Sequence, residues 1–291
     1  MSSSDPRSGA HYQVDGITFF AMIGSQRSGT NFVREMLNTN PAAVVHGEVL
    51  LPYPVPITWH NFLRNMVSRA LPPITSDDAM ALLDEYLIFA REDVKRGYAG
   101  KAKLLKAVGF DIKYNQLRFI APVLWELLDP PFFVEYLRRR HIPILHVVRR
   151  NVLHQALSLH IAELRNVYHN YGNYTFSGSL ELSPVELLRQ AEWISAGSAA
   201  FRSMTAGMNI LEVFYEDVAT ECETADSAGK LRVESMLTFE LARFLGIGND
   251  FSRPQSINKV INRPYAEIIS NHEQVVAAVR DSQFAEFADS I

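Results

Sequence analysis

The chain has 291 residues, of which 47% are hydrophobic and 21% charged, and its net charge at pH 7 is −4. This composition provides a sizeable apolar core and excludes global disorder. The slight acidic balance also argues against a general nucleic-acid binder, which normally carries a basic excess. The single cysteine excludes an internal disulfide framework and a cysteine-rich metal site, and it fits a reducing compartment.

The first 15 residues are polar and predict a flexible lead-in to one domain over residues 16–291. They lack the apolar core of a signal peptide, and no run approaches the roughly 20 apolar residues that span a bilayer. We therefore expect a cytoplasmic protein without a transmembrane segment. The sequence leaves the oligomeric state open.

The clearest local pattern is an apolar run over residues 17–23, followed by a short polar turn and a helical pattern. The run is long enough for one buried strand, and residues 32, 33, 36 and 37 share one face of the helix. A strand, a turn of small residues and a helix together direct backbone N–H groups at an anion. This stretch predicts a loop that holds a phosphorylated donor.

Further strands and helices alternate along the chain. Strands are predicted at residues 43–46, 104–112, 142–148 and 209–214. Helices are predicted from about residue 58 to 71 and at about 79–89, 115–128, 132–140, 151–169, 183–204 and 231–245, with another at the C terminus. This alternation predicts an α/β fold with a P-loop-like central parallel sheet, helices on both faces and helical insertions.

The polar turn is close to a Walker loop but differs from it. Gly24 and Gly29 have the separation of the two glycines in G-x-x-x-x-G-K-[ST], but Thr30 and Asn31 replace the Lys and the Ser or Thr. The nearest cation is Arg27, whose planar guanidinium can bind an anion with two parallel hydrogen bonds. The alternative is an ordinary turn with a solvated arginine.

A second pattern follows the predicted strand at residues 142–148. Arg150 comes at the end of this strand, and Ser158 follows eight residues later, two turns into the next helix. The two side chains can flank one small anion if the intervening turn folds back. Arg149 is the alternative to Arg150, although the spacing to the serine favours Arg150.

These two patterns together resemble the sulfotransferases that use 3′-phosphoadenosine 5′-phosphosulfate (PAPS). Residues 26–31 resemble the family's 5′-phosphosulfate loop, and the arginine–serine pair resembles its 3′-phosphate site. The resemblance implies PAPS as donor, adenosine 3′,5′-bisphosphate as product, and no requirement for a metal. The cofactor-binding residues that it implies are Gln26, Arg27, Ser28, Gly29, Thr30, Asn31, Arg150, Ser158, Lys259 and Arg263.

The resemblance is closest to the bacterial carbohydrate-type branch, which includes trehalose and nodulation-factor sulfotransferases. Residues 45–49 resemble a Gly-Glu segment of that branch, which implies that Glu48 is the general base, and residues 113–116 resemble a Lys-x-Trp-Asn-Gln stretch. The implied acceptor is a hydroxyl of a carbohydrate or glycoconjugate. His46 is the alternative base, although a histidine there is more often a packing residue.

For several other residues the sequence allows either a role in the site or an ordinary surface position. By analogy with phosphoryl transfer, Arg27 is expected to stabilise charge on the leaving phosphate. Lys113 either contacts the sulfonate or orients the acceptor, or is an exposed lysine. Lys259 and Arg263 either bind the 3′-phosphate or are surface charges. The loop at residues 168–176, rich in tyrosine and asparagine, either stacks on an acceptor or is a connector.

Two other functions compete with sulfuryl transfer. The first is a P-loop-type nucleotide kinase or phosphotransferase, which the missing Lys-Ser/Thr and the lack of an obvious Mg²⁺-binding aspartate argue against. The second is a nucleotide-binding module without transfer activity.

Overall fold

The fold is a central parallel sheet flanked by helices on both faces, so the predicted α/β class is confirmed. The structure is a computed structural model, and it describes residues 12–52, 55–66, 75–98, 100–120, 130–165, 178–220, 236–254 and 263–291. The strands are β1 (Gln13–Val14), β2 (Ile17–Gly24), β3 (Ala43–His46), β4 (Ala107–Lys113), β5 (Ile144–Val148) and β6 (Ile210–Phe214). Strands β3, β4, β2, β5 and β6 lie side by side in that order and are parallel, whereas β1 pairs antiparallel with the start of β2.

Helices follow most of these strands and cover the sheet. They are α1 (Thr30–Thr39), α2 (Trp59–Met66), α3 (Ser76–Gly97), α4 (Phe132–Arg139), α5 (Val152–Arg165), α6 (Pro184–Met204), α7 (Tyr215–Thr220), α8 (Met236–Leu245), α9 (Tyr265–Ile268) and α10 (His272–Arg280). Short 3₁₀ helices span Tyr114–Gln116 and Ala285–Ser290. Within the described ranges, no helix is long and apolar enough to cross a membrane.

Alternation along β2 divides the core between the two faces of the sheet. Phe19 and Ile23 pack on the face covered by α2, α3 and α4, whereas Phe20 and Met22 pack on the face covered by α1 and α8. Every residue of β2 is buried, as expected for the central strand of a parallel sheet. A third apolar cluster joins α5, α6 and α10 beside the sheet.

Several predicted boundaries differ from the observed ones. The lead-in predicted through residue 15 contains strand β1, and its first 11 residues lie outside the described ranges. The helix predicted from residue 115 is wrong at its start: Tyr114–Gln116 is a 3₁₀ helix, and residues 117–120 are turns and bends. The Gln116 side chain accepts a hydrogen bond from the backbone N–H of Lys113 (3.1 Å), which favours a local turn.

Strand β4 begins three residues later than predicted because Lys101 folds the preceding segment against α1. Its Nζ donates to the carbonyl oxygens of Asn38, Asn40 and Ala43 at 2.5, 2.8 and 3.1 Å. These three carbonyls belong to the end of α1 and the start of β3. Lys101 therefore ties the helix of the polar turn to the edge strand β3.

We expect Lys101→Met to destabilise the fold by roughly 1–3 kcal/mol, because it leaves three carbonyls without their charged donor. Urea unfolding monitored by circular dichroism measures the change. Lys103→Met, at an exposed position two residues on, is the matched control and should change stability by less than about 0.5 kcal/mol. Equal effects of the two substitutions would contradict the role of Lys101.

Candidate functional site

Several of the predicted site residues lie at the carboxyl edge of the sheet. The polar turn follows β2, Glu48 follows β3, the segment 113–116 ends β4, and the two arginines follow β5. In open parallel sheets this edge is where ligands bind. The sheet order therefore brings segments together that lie far apart in sequence.

Two glycines allow the polar turn to lie close to its neighbours. A Cβ atom at Gly24 would lie 2.6 Å from the carbonyl oxygen of Val147, and one at Gly29 would lie 2.3 Å from the Tyr215 ring. Gly29 also has φ 97°, in the left-handed region that favours glycine. Arg27 has φ 61°, a conformation that is uncommon for a residue with a side chain.

The two sequence patterns meet at a hydrogen bond. Arg27 Nε donates to Ser158 Oγ at 3.0 Å, across 131 residues of sequence. A second contact lies beside it, because Gln155 Nε2 donates to Ser25 Oγ (2.5 Å) and to the carbonyl oxygen of Gln26 (2.6 Å). Gln155 was missed by the sequence analysis, although its spacing of three residues from Ser158 places both on one face of α5.

Arg149 lies next to Arg27 and has an unused donor. Its guanidinium carbon is 5.1 Å from the centre of the Tyr215 ring, and its Nε is 3.7 Å from Glu216 Oε1. That Nε is buried and makes no hydrogen bond within the described ranges. Burial lowers the pKa of the Arg27 guanidinium, and the charge of Arg149 lowers it further. Two neighbouring cations of this kind favour an anion between them.

Arg150 lies on the exposed side of the same turn. Its Nη2 is 2.7 Å from Asp217 Oδ2, its Nη1 also contacts that carboxylate, and its guanidinium stacks over Phe214 at 4.0 Å. Asp217 raises the pKa of Arg150. The eight-residue spacing predicts that Arg150 and Ser158 flank one anion, whereas in the structure Ser158 contacts Arg27 and the arginine next to Arg27 is Arg149.

The hydroxyl groups of the loop have different environments. Ser28 is fully buried, and its Oγ has no hydrogen-bond partner in the described part of the chain. Thr30 Oγ1 is bonded to Lys113 Nζ. Gln26 is exposed, and Asn31 is half-buried on the first turn of α1. Ser28 is therefore the loop residue with a buried hydroxyl that makes no hydrogen bond within the described ranges.

Lys113 is buried, so the alternative of an exposed lysine is wrong. Only 4% of it is exposed, and its Nζ is 2.7 Å from Asp111 Oδ1 in addition to its bond with Thr30. Asp111 is fully buried, two residues earlier on the same face of β4. The sequence analysis missed Asp111, and the signal was a pair of opposite charges at alternate positions of an apolar strand.

The two candidate bases lie in different environments. Glu48 is half-buried, and its Oε2 accepts a hydrogen bond from Gln116 Nε2 at 2.6 Å. His46 is the last residue of β3, and its ring packs on that of Phe110, with 6.1 Å between ring centres. Burial lowers the pKa of His46 to about 4, and Arg34 contributes in the same direction. His46 is buried, whereas the half-buried Glu48 is the more accessible of the two to an acceptor, which favours Glu48.

The C-terminal segment supplies one further residue. Arg263 is ion-paired with Glu267 at 3.0 Å, while Lys259 and the loop at residues 168–176 lie outside the described ranges. Tyr265 packs on the ring of His154, and burial raises its pKa while Arg149 and Arg27 lower it. Tyr265 therefore borders the arginine pair, a position that no sequence motif indicated.

No family model and no curated protein matches this chain. Among solved structures it is similar to a sulfotransferase from Alicyclobacillus acidocaldarius, with a TM-score of 0.42 and 15% identity over 94% of this chain and 93% of that one. It is also similar to the sulfotransferase domain of the Synechococcus PCC 7002 olefin synthase, with a TM-score of 0.36 and 16% identity over 97% and 98% of the two chains. At these values the similarity assigns no activity and no site residue to this chain.

We expect the free energy of unfolding to fall as the pH decreases from about 6.5 to 4. Burial lowers the pKa of both His46 and His146 (on β5) to about 4, whereas an unfolded histidine titrates near 6.5. The unfolded chain therefore binds more protons below pH 6.5, which destabilises the fold by roughly 1–2 kcal/mol per histidine between pH 6.5 and 5.

Urea unfolding at several pH values, with and without His46→Leu, measures this dependence. The substitution removes one of the two groups, so the decline in stability should become shallower. His60→Leu, at an exposed position of α2, is the control and should leave the slope unchanged. Parallel pH profiles for the wild type and His46→Leu would contradict the expectation.

Proposed function

We propose that this chain is a PAPS-dependent sulfotransferase that moves a sulfuryl group to a hydroxyl of a carbohydrate or glycoconjugate. The observation that carries the proposal is the 3.0 Å hydrogen bond between Arg27 Nε and Ser158 Oγ. If the two motifs had no function, Arg27 would be a solvated arginine in a turn and Ser158 a surface serine on a helix. Their direct contact argues against that interpretation, because it brings the two motifs together.

The residues around this contact fit a donor with two anionic groups. Ser28 Oγ and Arg149 Nε are buried donors without hydrogen-bond partners in the described ranges, and buried polar groups of this kind are costly unless they are bonded. The N terminus of α1 adds a positive partial charge at the loop. We assign the loop to the 5′-phosphosulfate, and Ser158 with one of the two arginines to the 3′-phosphate.

Each step of the transfer has a residue suited to it. A bound donor would supply a sulfuryl group activated by its phosphate leaving group, and we assign Arg27 to stabilising the negative charge on that phosphate. The acceptor hydroxyl needs a base because its own pKa is far above neutral, and Glu48 is the carboxylate held at this edge by Gln116. The carbohydrate acceptor rests on the resemblance of residues 45–49 and 113–116 to the bacterial carbohydrate-type branch.

The kinase alternative is weakened by the environment of Asp111. A P-loop kinase holds Mg²⁺ between a loop hydroxyl and a carboxylate on a neighbouring strand. Here Lys113 Nζ contacts both the Thr30 hydroxyl and the Asp111 carboxylate. The ammonium group therefore takes the space between them that a metal ion would need, and it neutralises the carboxylate.

Single alanine substitutions of Arg149 and Arg150 test the donor site by equilibrium binding of adenosine 3′,5′-bisphosphate. We expect Arg149→Ala to weaken binding by about 10- to 100-fold, since a hydrogen bond to a charged group contributes roughly 1.5–3 kcal/mol. Arg150→Ala should have a smaller effect because Asp217 already pairs with that guanidinium. Arg280→Ala, at an exposed ion pair with Asp289, is the control. A wild-type chain without affinity for this nucleotide would overturn the proposed function.

Glu48→Gln tests the base, since a glutamine oxygen can still accept from Gln116 but cannot take up a proton. We expect unchanged nucleotide binding and a loss of transfer of about 10²- to 10⁴-fold. The assay follows labelled sulfate from PAPS to pooled sugars, glycolipids and small alcohols. Glu35→Gln, ion-paired with Arg34 on α1, is the control.

The two possible failures of this assay have different meanings. Full turnover in Glu48→Gln would remove Glu48 as the base and leave the sulfotransferase proposal standing. Intact nucleotide binding without transfer by the wild type to any acceptor would favour the nucleotide-binding module.

A further inference from the structure

A network of hydrogen-bonded side chains runs from α6 across one face of the sheet to the edge of the candidate site. Arg202 Nε and Nη2 lie 2.8 and 3.0 Å from the two carboxylate oxygens of Glu212 on β6. Glu212 Oε2 lies 2.9 Å from His146 Nδ1 on the neighbouring strand β5. His146 Nε2 in turn bonds the hydroxyl of Tyr114, the first residue after β4. His146 is only 1% exposed, so the middle of this network is inside the core.

The charges of the four groups determine which group donates and which accepts in each of these hydrogen bonds. Burial raises the pKa of Glu212, but the hydrogen bonds and charges of Arg202 and His146 outweigh burial and lower it, so Glu212 is an ionised acceptor. His146 therefore carries its proton on Nδ1, and its Nε2 accepts from the Tyr114 hydroxyl. Burial lowers the pKa of His146 to about 4 and raises that of Tyr114 to about 12, so both groups are neutral near pH 7.

This network of hydrogen bonds ends at the turn that contacts the candidate base. Tyr114 begins the 3₁₀ helix Tyr114–Gln116, and Gln116 is bonded both to the backbone N–H of Lys113 and to the Glu48 carboxylate. The Tyr114 ring also stacks on Phe201 of α6, with 5.3 Å between ring centres. The turn is therefore fixed on one side by the buried network and on the other by Glu48.

A purely packing role does not need this arrangement. Apolar side chains at positions 146 and 212 would fill the same space without polar groups to satisfy, and a buried polar network is tolerated only when each member is bonded. Here each of the four groups has a partner, and the network joins three strands of the sheet. What it adds beyond packing is a fixed orientation of the phenol at position 114.

We infer that His146 is a positioning residue that fixes the Tyr114 hydroxyl and, through the turn Tyr114–Gln116, holds Glu48 in place to accept the acceptor's proton. This inference rests on the proposed function, because it requires Glu48 to be the base. Neither His146 nor Tyr114 exchanges a proton with the acceptor in this arrangement. Their effect is on the rate of transfer, and the donor site is independent of them.

Tyr114→Phe tests the inference, because it removes only the hydroxyl and keeps the ring that stacks on Phe201. We expect kcat at saturating donor and acceptor to fall about tenfold, the equivalent of one hydrogen bond. The Kd for adenosine 3′,5′-bisphosphate should stay within about twofold. Tyr86→Phe is the matched control: it removes another buried hydroxyl, which donates to the carbonyl oxygen of Ile57 at 2.8 Å. It should lower the melting temperature and leave kcat unchanged.

A double substitution separates positioning from a general loss of stability. In a Glu48→Gln background, Tyr114→Phe should cause no further loss of kcat, because groups that act through one another are not additive. His146→Gln should reproduce the kinetic effect of Tyr114→Phe, since it disturbs the same acceptor.

The outcomes separate this inference from the proposed function. An active wild type whose Tyr114→Phe variant keeps its kcat, or loses the same factor with and without Glu48, overturns the inference alone. A wild type that neither binds the nucleotide nor transfers sulfate overturns the proposed function, and the inference with it.

Discussion

The ion pair between Lys113 and Asp111 is the interaction from which the candidate site is built. Both groups are almost fully buried, Asp111 Oδ2 makes no hydrogen bond within the described ranges, and the remaining hydrogen-bonding capacity that the pair uses is that of the lysine. Lys113 uses it on Thr30, the first residue of α1, while its backbone N–H holds the Gln116 side chain that reaches Glu48. Strand β4 lies between β2 and β3. Lys113 at its end therefore contacts both the loop after β2 and the turn that reaches the candidate base after β3.

The proposed donor side of the site contains neighbouring cations and buried donors that a bound anion would stabilise. Two neighbouring guanidinium groups disfavour one another, and the buried donors at Ser28 and Arg149 make no hydrogen bonds within the described ranges. Each of these features costs free energy without a ligand, and each is relieved by a nearby anion. On the acceptor side, by contrast, Glu48 and the turn after β4 are already hydrogen-bonded. The site thus combines a cationic half, whose buried donors at Ser28 and Arg149 make no hydrogen bond within the described ranges, with a half whose polar groups are hydrogen-bonded.

Local patterns in the sequence predict the fold and the loop, but not the pairings between distant segments. Apolar runs alternating with helical periods are enough for a parallel sheet, and the spacing of Gly24 and Gly29 is enough for an anion-binding turn. The spacing of Arg150 and Ser158 predicts that the two side chains flank one anion, but which arginine lies near Arg27 depends on how the chain turns after β5. The hydrogen-bonded network of Tyr114, His146 and Glu212 joins three strands whose order in the sheet no short motif encodes. Tyr265 is likewise brought to the arginines only by the packing of the C-terminal segment.

The left-handed backbone conformation of Arg27 lowers the stability of the loop, and this limits which residues suit position 27. A residue with a Cβ atom in that region costs about 1 kcal/mol or more relative to glycine, which adopts it freely. The chain nevertheless carries its loop guanidinium at this position and directs it at Ser158. At position 27, thermostability therefore opposes the activity that we propose. Selection for a more rigid protein alone would favour losing the arginine that we assign to the donor site.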